Sequence, residues 1–131
     1  MMENKNLKLG AGYYMQYAII RTDKTHQIID SGDIPPNYKT FQKLVAAPSE
    51  EGHATYQALN GPKLSIYLNE NGKYLNDLEI NVAVTVYARI NRLIFANDYI
   101  VGDCVIVGGP DDEGEETPVD EDVLKEILAY V

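Results

Sequence analysis

The chain contains no tryptophan, a single cysteine, two histidines and two phenylalanines among its 131 residues, and each scarcity closes off a kind of chemistry. With Cys104 alone no internal disulfide can form, and no CxxC, HxxxH or HExxH spacing offers a zinc site. Cys104 falls inside an apolar strand pattern, where a buried and inert thiol is expected. A hydrolytic triad needs a histidine as base. His26 and His53 both stand beside turn or loop signals, which puts them at the surface. Gly10-Ala11-Gly12 and Gly108-Gly109-Pro110 match neither GxGxxG nor GxxxxGKS/T, so no phosphate-cradling loop is written here. No run of about 18 apolar residues occurs, and the opening MMENKNLKLGAG has no apolar core of signal-peptide length. The expectation is a cytoplasmic protein that is not an enzyme and has no cofactor, metal or membrane partner.

Positive charge is the next shortage. Eleven Lys and Arg face 20 Asp and Glu, a net charge of −9, and the imbalance is confined to one end. Up to Asn97 there are 10 basic and 9 acidic residues, whereas from Asp98 onward 11 acidic residues face only Lys125. Such a surface repels phosphate, and binding to nucleic acids or anionic membranes depends on Lys and Arg neutralising phosphate. Direct nucleic-acid binding is therefore not expected. A protein partner with a basic surface, including one whose own ligand is DNA, is compatible with the charge.

What the chain does have is enough apolar side chain for one core: 45% of residues are hydrophobic, at a length common for a single domain. Residues 1–12 are polar and end in glycines, which reads as a flexible leader, and a single domain is expected over 13–131. Ten tyrosines supply almost all the aromatic area, together with hydroxyls that can reach water. Residues 13–21 and 27–30 read as a first hairpin around Thr22-Asp23-Lys24-Thr25. After Pro35-Pro36, Asn37 is suited to cap a helix over 38–47, with Tyr38, Phe41, Leu44 and Val45 on one face and Pro48 as its stop. Residues 54–59 and 64–68 form a second hairpin about Asn60-Gly61, two residues that tolerate positive φ. Asn69-Glu70-Asn71-Gly72 is a further turn.

Residues 80–95 fit two periods. Ile80, Val82, Val84 and Val86 alternate as in a strand, while Ile80, Ala83, Val84, Tyr87, Ile90 and Ile94 make a helical stripe. A stretch of this length without Gly or Pro is long for a strand, which decides for a helix. Residues 101–107 are apolar apart from Asp103, the pattern of a strand buried on both faces at the sheet centre, with Gly102 as a bulge or turn. Asp103 needs a partner if buried, and Arg89 or Arg92 could supply it. The last helix has the fullest set of signals. Thr117 can cap it, Pro118 suits its first position, and Asp120, Glu121 and Asp122 complement the positive end of its dipole. Val119, Val123, Leu124, Ile127, Leu128 and Val131 make its buried stripe. The expected fold is α+β: a small, mostly antiparallel sheet with about three helices, the last one acidic.

The tract Asp111 to Glu116 is the one compositionally biased stretch. It departs from the EF-hand pattern, in which alternate positions ligate and a glycine follows the third, so a calcium site is not expected. Together with the last helix it offers Asp111, Asp112, Glu113, Glu115, Glu116, Asp120, Glu121 and Asp122, joined by Glu126, as a partner-binding surface. Carboxylates on such a loop and helix face could imitate the spacing of a phosphate backbone. The plainer alternative is a solvated loop that keeps a small domain soluble.

Several short signatures are also present. They are Asn69-Glu70-Asn71-Gly72 at a strand end, Leu78 with Asn81, Gly102-Asp103 opening the late strand, and the Asp112-Glu113-Gly114 turn. With the order of elements, they make the chain, over about residues 14–128, resemble an uncharacterised domain-of-unknown-function family. Its members are small acidic proteins encoded by phages, prophages and mobile elements of Gram-positive bacteria. The sequence departs from that pattern at Val82, where an arginine is expected after the asparagine, and at Ala46-Ala47, where a double glycine usually ends the first helix. No ligand role for that arginine carries over, and the resemblance implies no active site. It implies an accessory gene of a mobile element whose product acts on host machinery.

Charge and resemblance together predict a non-enzymatic accessory protein whose acidic surface binds a basic surface of a host protein, in an anti-defence or DNA-mimic role. The alternative from another class is a small-molecule-binding or sequestering protein with a tyrosine-lined pocket, at a homodimer interface if the chain pairs with itself. A hydrolase with a carboxylate base is the third reading.

Overall fold

The computed structural model describes residues 15–131 and the backbone of two short antiparallel strands before them, β1 (Lys8–Leu9) and β2 (Gly12–Tyr13). The rest of the expected leader lies outside the described residues. β3 (Gln16–Ile20) and β4 (His26–Asp30) form the first hairpin. α1 (Tyr38–Leu44) begins where Asn37 Oδ1 accepts from the Thr40 amide at 3.1 Å, so the asparagine cap acts as read. The helix is shorter than 38–47: Val45 is its C-cap, and a tight turn follows at Pro48–Glu50. β5 (Tyr56–Asn60) and β6 (Ser65–Asn69) form the second hairpin.

The ambiguous stretch is helical as α2 (Val82–Ile90). The β-branched alternation loses to a local commitment at Asn81, whose Oδ1 accepts from the Val84 amide at 3.2 Å and starts the helix. α2 stops before residue 95 because Arg92 adopts φ +59 and the chain turns back, the Leu93 amide donating to Ala88 O at 2.8 Å. β7 (Cys104–Val107) follows, then β8 (Gly109–Pro110), β9 (Glu116–Thr117) and α3 (Glu121–Leu128).

The main sheet has the order β4-β3-β7-β6-β5 with every neighbouring pair antiparallel. β7 is its centre and all of its residues are buried, as the apolar run predicts. Strand alternation sends Ala18, Ile20, Ile66, Leu68, Cys104 and Ile106 into one core with α2 and α3. Tyr17, Ile19, Val105 and Val107 enter a second core with Phe41 and Val45. The result is one small α+β domain, a sheet with helices on both faces. Among the described residues no helix is long and apolar enough to cross a membrane.

The start of α3 corrects an expectation. Thr117 does not cap it: Thr117 pairs with Gly109 in a separate β8–β9 ribbon, and its hydroxyl donates to Gly109 O at 2.7 Å. Capping passes to Asp120, whose Oδ1 accepts from the amides of Asp122 at 2.8 Å and Val123 at 3.3 Å. The ribbon can close because residue 108 is glycine, since a Cβ there would lie 2.1 Å from Pro118 O. Val119, Val123, Leu124 and Ile127 are buried, but Val131 is exposed and leaves the stripe.

Candidate functional site

The ribbon turns the acidic tract into a built tip. Asp111 Oδ1 accepts from the amides of Glu113 at 2.8 Å and Glu115 at 3.0 Å, and the Asp111 amide donates to Glu115 O at 2.8 Å. Asp112 and Glu113 are exposed there, while Asp111 and Glu115 are half-buried. Glu116 turns inward. Its Oε2 accepts from the Tyr67 hydroxyl, its Oε1 is buried without a hydrogen-bond partner, and burial raises its pKa. Burial, and then the bond to Glu116, push the Tyr67 phenol up as well. The Tyr67 ring stacks on Phe41 at 4.3 Å and meets Tyr56 edge-on at 5.6 Å. Glu116 thus ties the ribbon to the sheet.

Asp120, Glu121 and Asp122 are exposed at the N-terminus of α3, with Asp120 engaged as the cap. Glu126, also exposed, accepts from Asn91 Nδ2 at 3.0 Å. The eight acids singled out in the sequence therefore divide by task. Asp111, Glu116 and Asp120 shape the backbone, Glu115 is partly covered, and Asp112, Glu113, Glu121 and Asp122 present carboxylates on the outside.

Apart from the Asp112-Glu113-Gly114 turn at the ribbon tip, the signature residues gather elsewhere, around buried amides. Asn69 Nδ2 donates to Val45 O at 3.1 Å and to Glu50 Oε1 at 2.6 Å, and its Oδ1 accepts from the Asn71 amide at 2.9 Å. Asn81 Nδ2 donates to Ile20 O at 2.9 Å and Gly102 O at 3.0 Å while its Oδ1 caps α2. Gly102 sits at φ +91 beneath Leu78, whose Cδ1 would be 3.2 Å from an added Cβ. Asp103 finds neither Arg89 nor Arg92. Its Oδ1 accepts from the Thr22 amide at 3.0 Å, burial raises its pKa, and Arg21 is the cation that counters this. Arg89 instead donates from Nε to Asp98 O at 2.7 Å. Asp103 opens on a cleft with Asp23, Asp77, Glu79 and Lys43. Among the described residues no three His, Cys, Asp or Glu side chains converge as metal ligands would. His26 and His53 are both exposed.

Sequence reasoning missed the surface after α2. Of its helical stripe Ala83, Val84 and Tyr87 are buried and Ile94 packs against the core, but Ile80 and Ile90 are exposed, Ile90 at 58%, and Phe95 beyond them at 82%. Nearby, Tyr74 and Tyr99 border a cleft of about 250 Å³ that also takes in Gln57, Leu59 and Leu68. Lys73 lies over the Tyr99 ring at 4.7 Å and pairs with Asp98. The signal for this surface was present in Arg89 and Arg92 interleaved with apolar residues.

No curated protein and no solved structure matches the chain. A family model described as a domain of unknown function, DUF3846, matches residues 15–131, which takes in both hairpins, all three helices and the acidic ribbon. By that match the chain belongs to the DUF3846 family.

Proposed function

We propose that the protein works by binding rather than catalysis, and that the outward carboxylates of the ribbon tip and the start of α3 engage a basic surface of a protein partner. The observation that carries this is the division of labour among the acids. Asp111, Glu116 and Asp120 fix the backbone, and Asp112, Glu113, Glu121 and Asp122 stand on that support. A loop that serves only solubility needs no such support. An anionic surface ordered beforehand loses less entropy on binding and steers a cationic partner toward it. The resemblance to proteins of phages and mobile elements supplies the finer reading: a cytoplasmic partner from the host, such as a nucleic-acid-binding or defence protein, met by a DNA mimic.

The test is an affinity capture from bacterial host lysate with two forms of the full chain. One is native, and the other carries Asp112→Asn, Glu113→Gln, Glu121→Gln and Asp122→Asn, leaving the structural acids in place. The expected result is a basic protein recovered by the native form alone, with an affinity that falls as salt rises. Equal recovery by both forms, or binding indifferent to salt, rejects the reading. A second reading rests on the cleft beside Tyr74 and Tyr99, small for a ligand site and rimmed by two of the tyrosines. It predicts a bound small molecule in native mass spectra of the protein taken from cells, and only empty protein would count against it.

A further inference from the structure

We propose that the outer edge of β5 is a docking site for an extended, acidic segment of a partner protein, which adds a strand to the main sheet. Among the described residues β5 pairs only with β6 and is one of the two edges of the sheet. Edge strands are normally protected by charge, proline or a covering element, because their unpaired amides and carbonyls invite another strand. Tyr56-Gln57-Ala58-Leu59-Asn60 contains no charge and no proline. The opposite edge, β4, is bounded by Asp23 and Lys24 on one side and ends in Asp30.

A groove accompanies this edge. Gln57 stands opposite Leu68 and Leu59 opposite Ile66, so both point to the α2 side of the sheet. On that side two depressions meet at Leu59, Ile94 and Asp98. One reaches toward Gln57 and Tyr74, and the other, of about 620 Å³, runs between Arg89, Arg92 and Phe95. Gln57 and Leu59 are two residues apart on the strand, roughly 7 Å, which is the spacing of alternate side chains on an added strand. Backbone pairing along β5 with alternate side chains in the two depressions is the geometry of strand addition.

Charge selects the occupant. In a chain of net charge −9 this groove carries two exposed arginines. Asp98, the one acid lining the depression that holds the arginines, already accepts from Lys73 Nζ and the Tyr99 amide, and Glu70 lies at the far end of the other depression, beside Lys73 and Tyr74. Arg89 uses Nε on Asp98 O, and its terminal nitrogens have no acceptor among the described residues. Arg92 has no acidic partner among the described residues, and its φ of +59 turns it out from the end of α2. Phe95, 82% exposed, supplies an apolar wall beside them. A segment with a carboxylate facing the arginines and an apolar side chain against Ile94 and Phe95 satisfies both features. A second copy joined β5 to β5 would instead bring two pairs of arginines to one face of the seam. Nucleic acid would meet these two arginines and a Lys73 already paired with Asp98, against the repulsion of a chain of net charge −9.

The experiment titrates the isotope-labelled full chain, observed by amide resonances, with a short alternating Val-Glu peptide. Parallel titrations use its Val-Lys counterpart, a proline-interrupted Val-Glu version and an oligodeoxythymidine. The proposal expects the Val-Glu peptide to move the amides of residues 56–60 and 92–95, with binding about tenfold tighter than the Val-Lys peptide, as set by charge complementarity. The proline-interrupted peptide should be silent. Arg92→Glu should abolish the preference and Arg92→Lys should keep it. Equal binding of both charges, shifts confined to the ribbon and α3, or the oligonucleotide alone moving residues 56–60 would each overturn it. So would β5 resonances that shift on dilution with a dimer in sedimentation, which would give the edge to a second copy. Partner capture through the acidic tip leaves residues 56–60 unmoved, so the two surfaces fail or succeed separately.

Discussion

Two sets of polar residues in this fold have opposite fates. Asn69 and Asn81, 3% and 1% exposed, direct the nitrogens and oxygens of their side chains at neighbouring backbone and at Glu50. Asp112, Glu113, Glu121 and Asp122 face water. An amide suits the first set because it offers donors and an acceptor without an ionic charge to desolvate. Of the residues that carry the family resemblance, Asn69 and Asn81 belong to the first set, and Gly72, Leu78 and Gly102 serve the backbone beside them. Asp112 and Glu113 belong to the second, on the exposed ribbon tip.

That contrast can be broken most severely at Asn81. Asn81→Ala removes a helix cap and the two hydrogen bonds its Nδ2 gives to the carbonyls of Ile20 and Gly102, a loss of about 3 kcal/mol in urea unfolding. A loss under about 1 kcal/mol would show that water replaces the amide and that the buried set is less rigid than drawn. Gly102→Ala comes next, at about 2 kcal/mol, since it forces a Cβ into positive φ and toward Leu78. Tyr67→Phe tests the one acid that crosses from the charged set to the buried one. It strips Glu116 of its hydrogen bond for about 1–2 kcal/mol.

Glu116 also carries a sign. Burial raises its folded pKa above the unfolded value, so between the two the native state holds more proton. Stability at this site is therefore full below the unfolded pKa and declines as pH rises through the folded one. Glu116→Gln should flatten that decline in unfolding curves taken from acid to neutral pH. The smallest effect belongs to the fourfold neutralisation of Asp112, Glu113, Glu121 and Asp122, expected to change stability by no more than about 0.5 kcal/mol. A larger change would mean that these acids support the fold.

The elements that sequence alone made legible are those defined by short-range chemistry. Asn37 capped α1 as read, and the apolar run ending in Val107 became the central strand. The ribbon was hidden because its strands are two residues each and its acidic tip looks like any solvated loop. Missing the ribbon misassigned Thr117, whose hydroxyl was already committed to Gly109 and could not cap α3. At the acidic surface the sequence supplied the residues but not their division, since nothing local distinguishes inward Glu116 from outward Glu113. The partnership of Asn81 with Ile20 spans 61 positions of the chain, a contact that no periodicity encodes.

Cys104 gives the molecule a clock. Its thiol is fully buried on the central strand beneath α2 and α3, and burial pushes its pKa up. An alkylating reagent can reach it only when the sheet parts from those helices, so the rate of its modification counts openings of that core. Every variant described above can be followed by that one sulfur, in dilute solution and without denaturant.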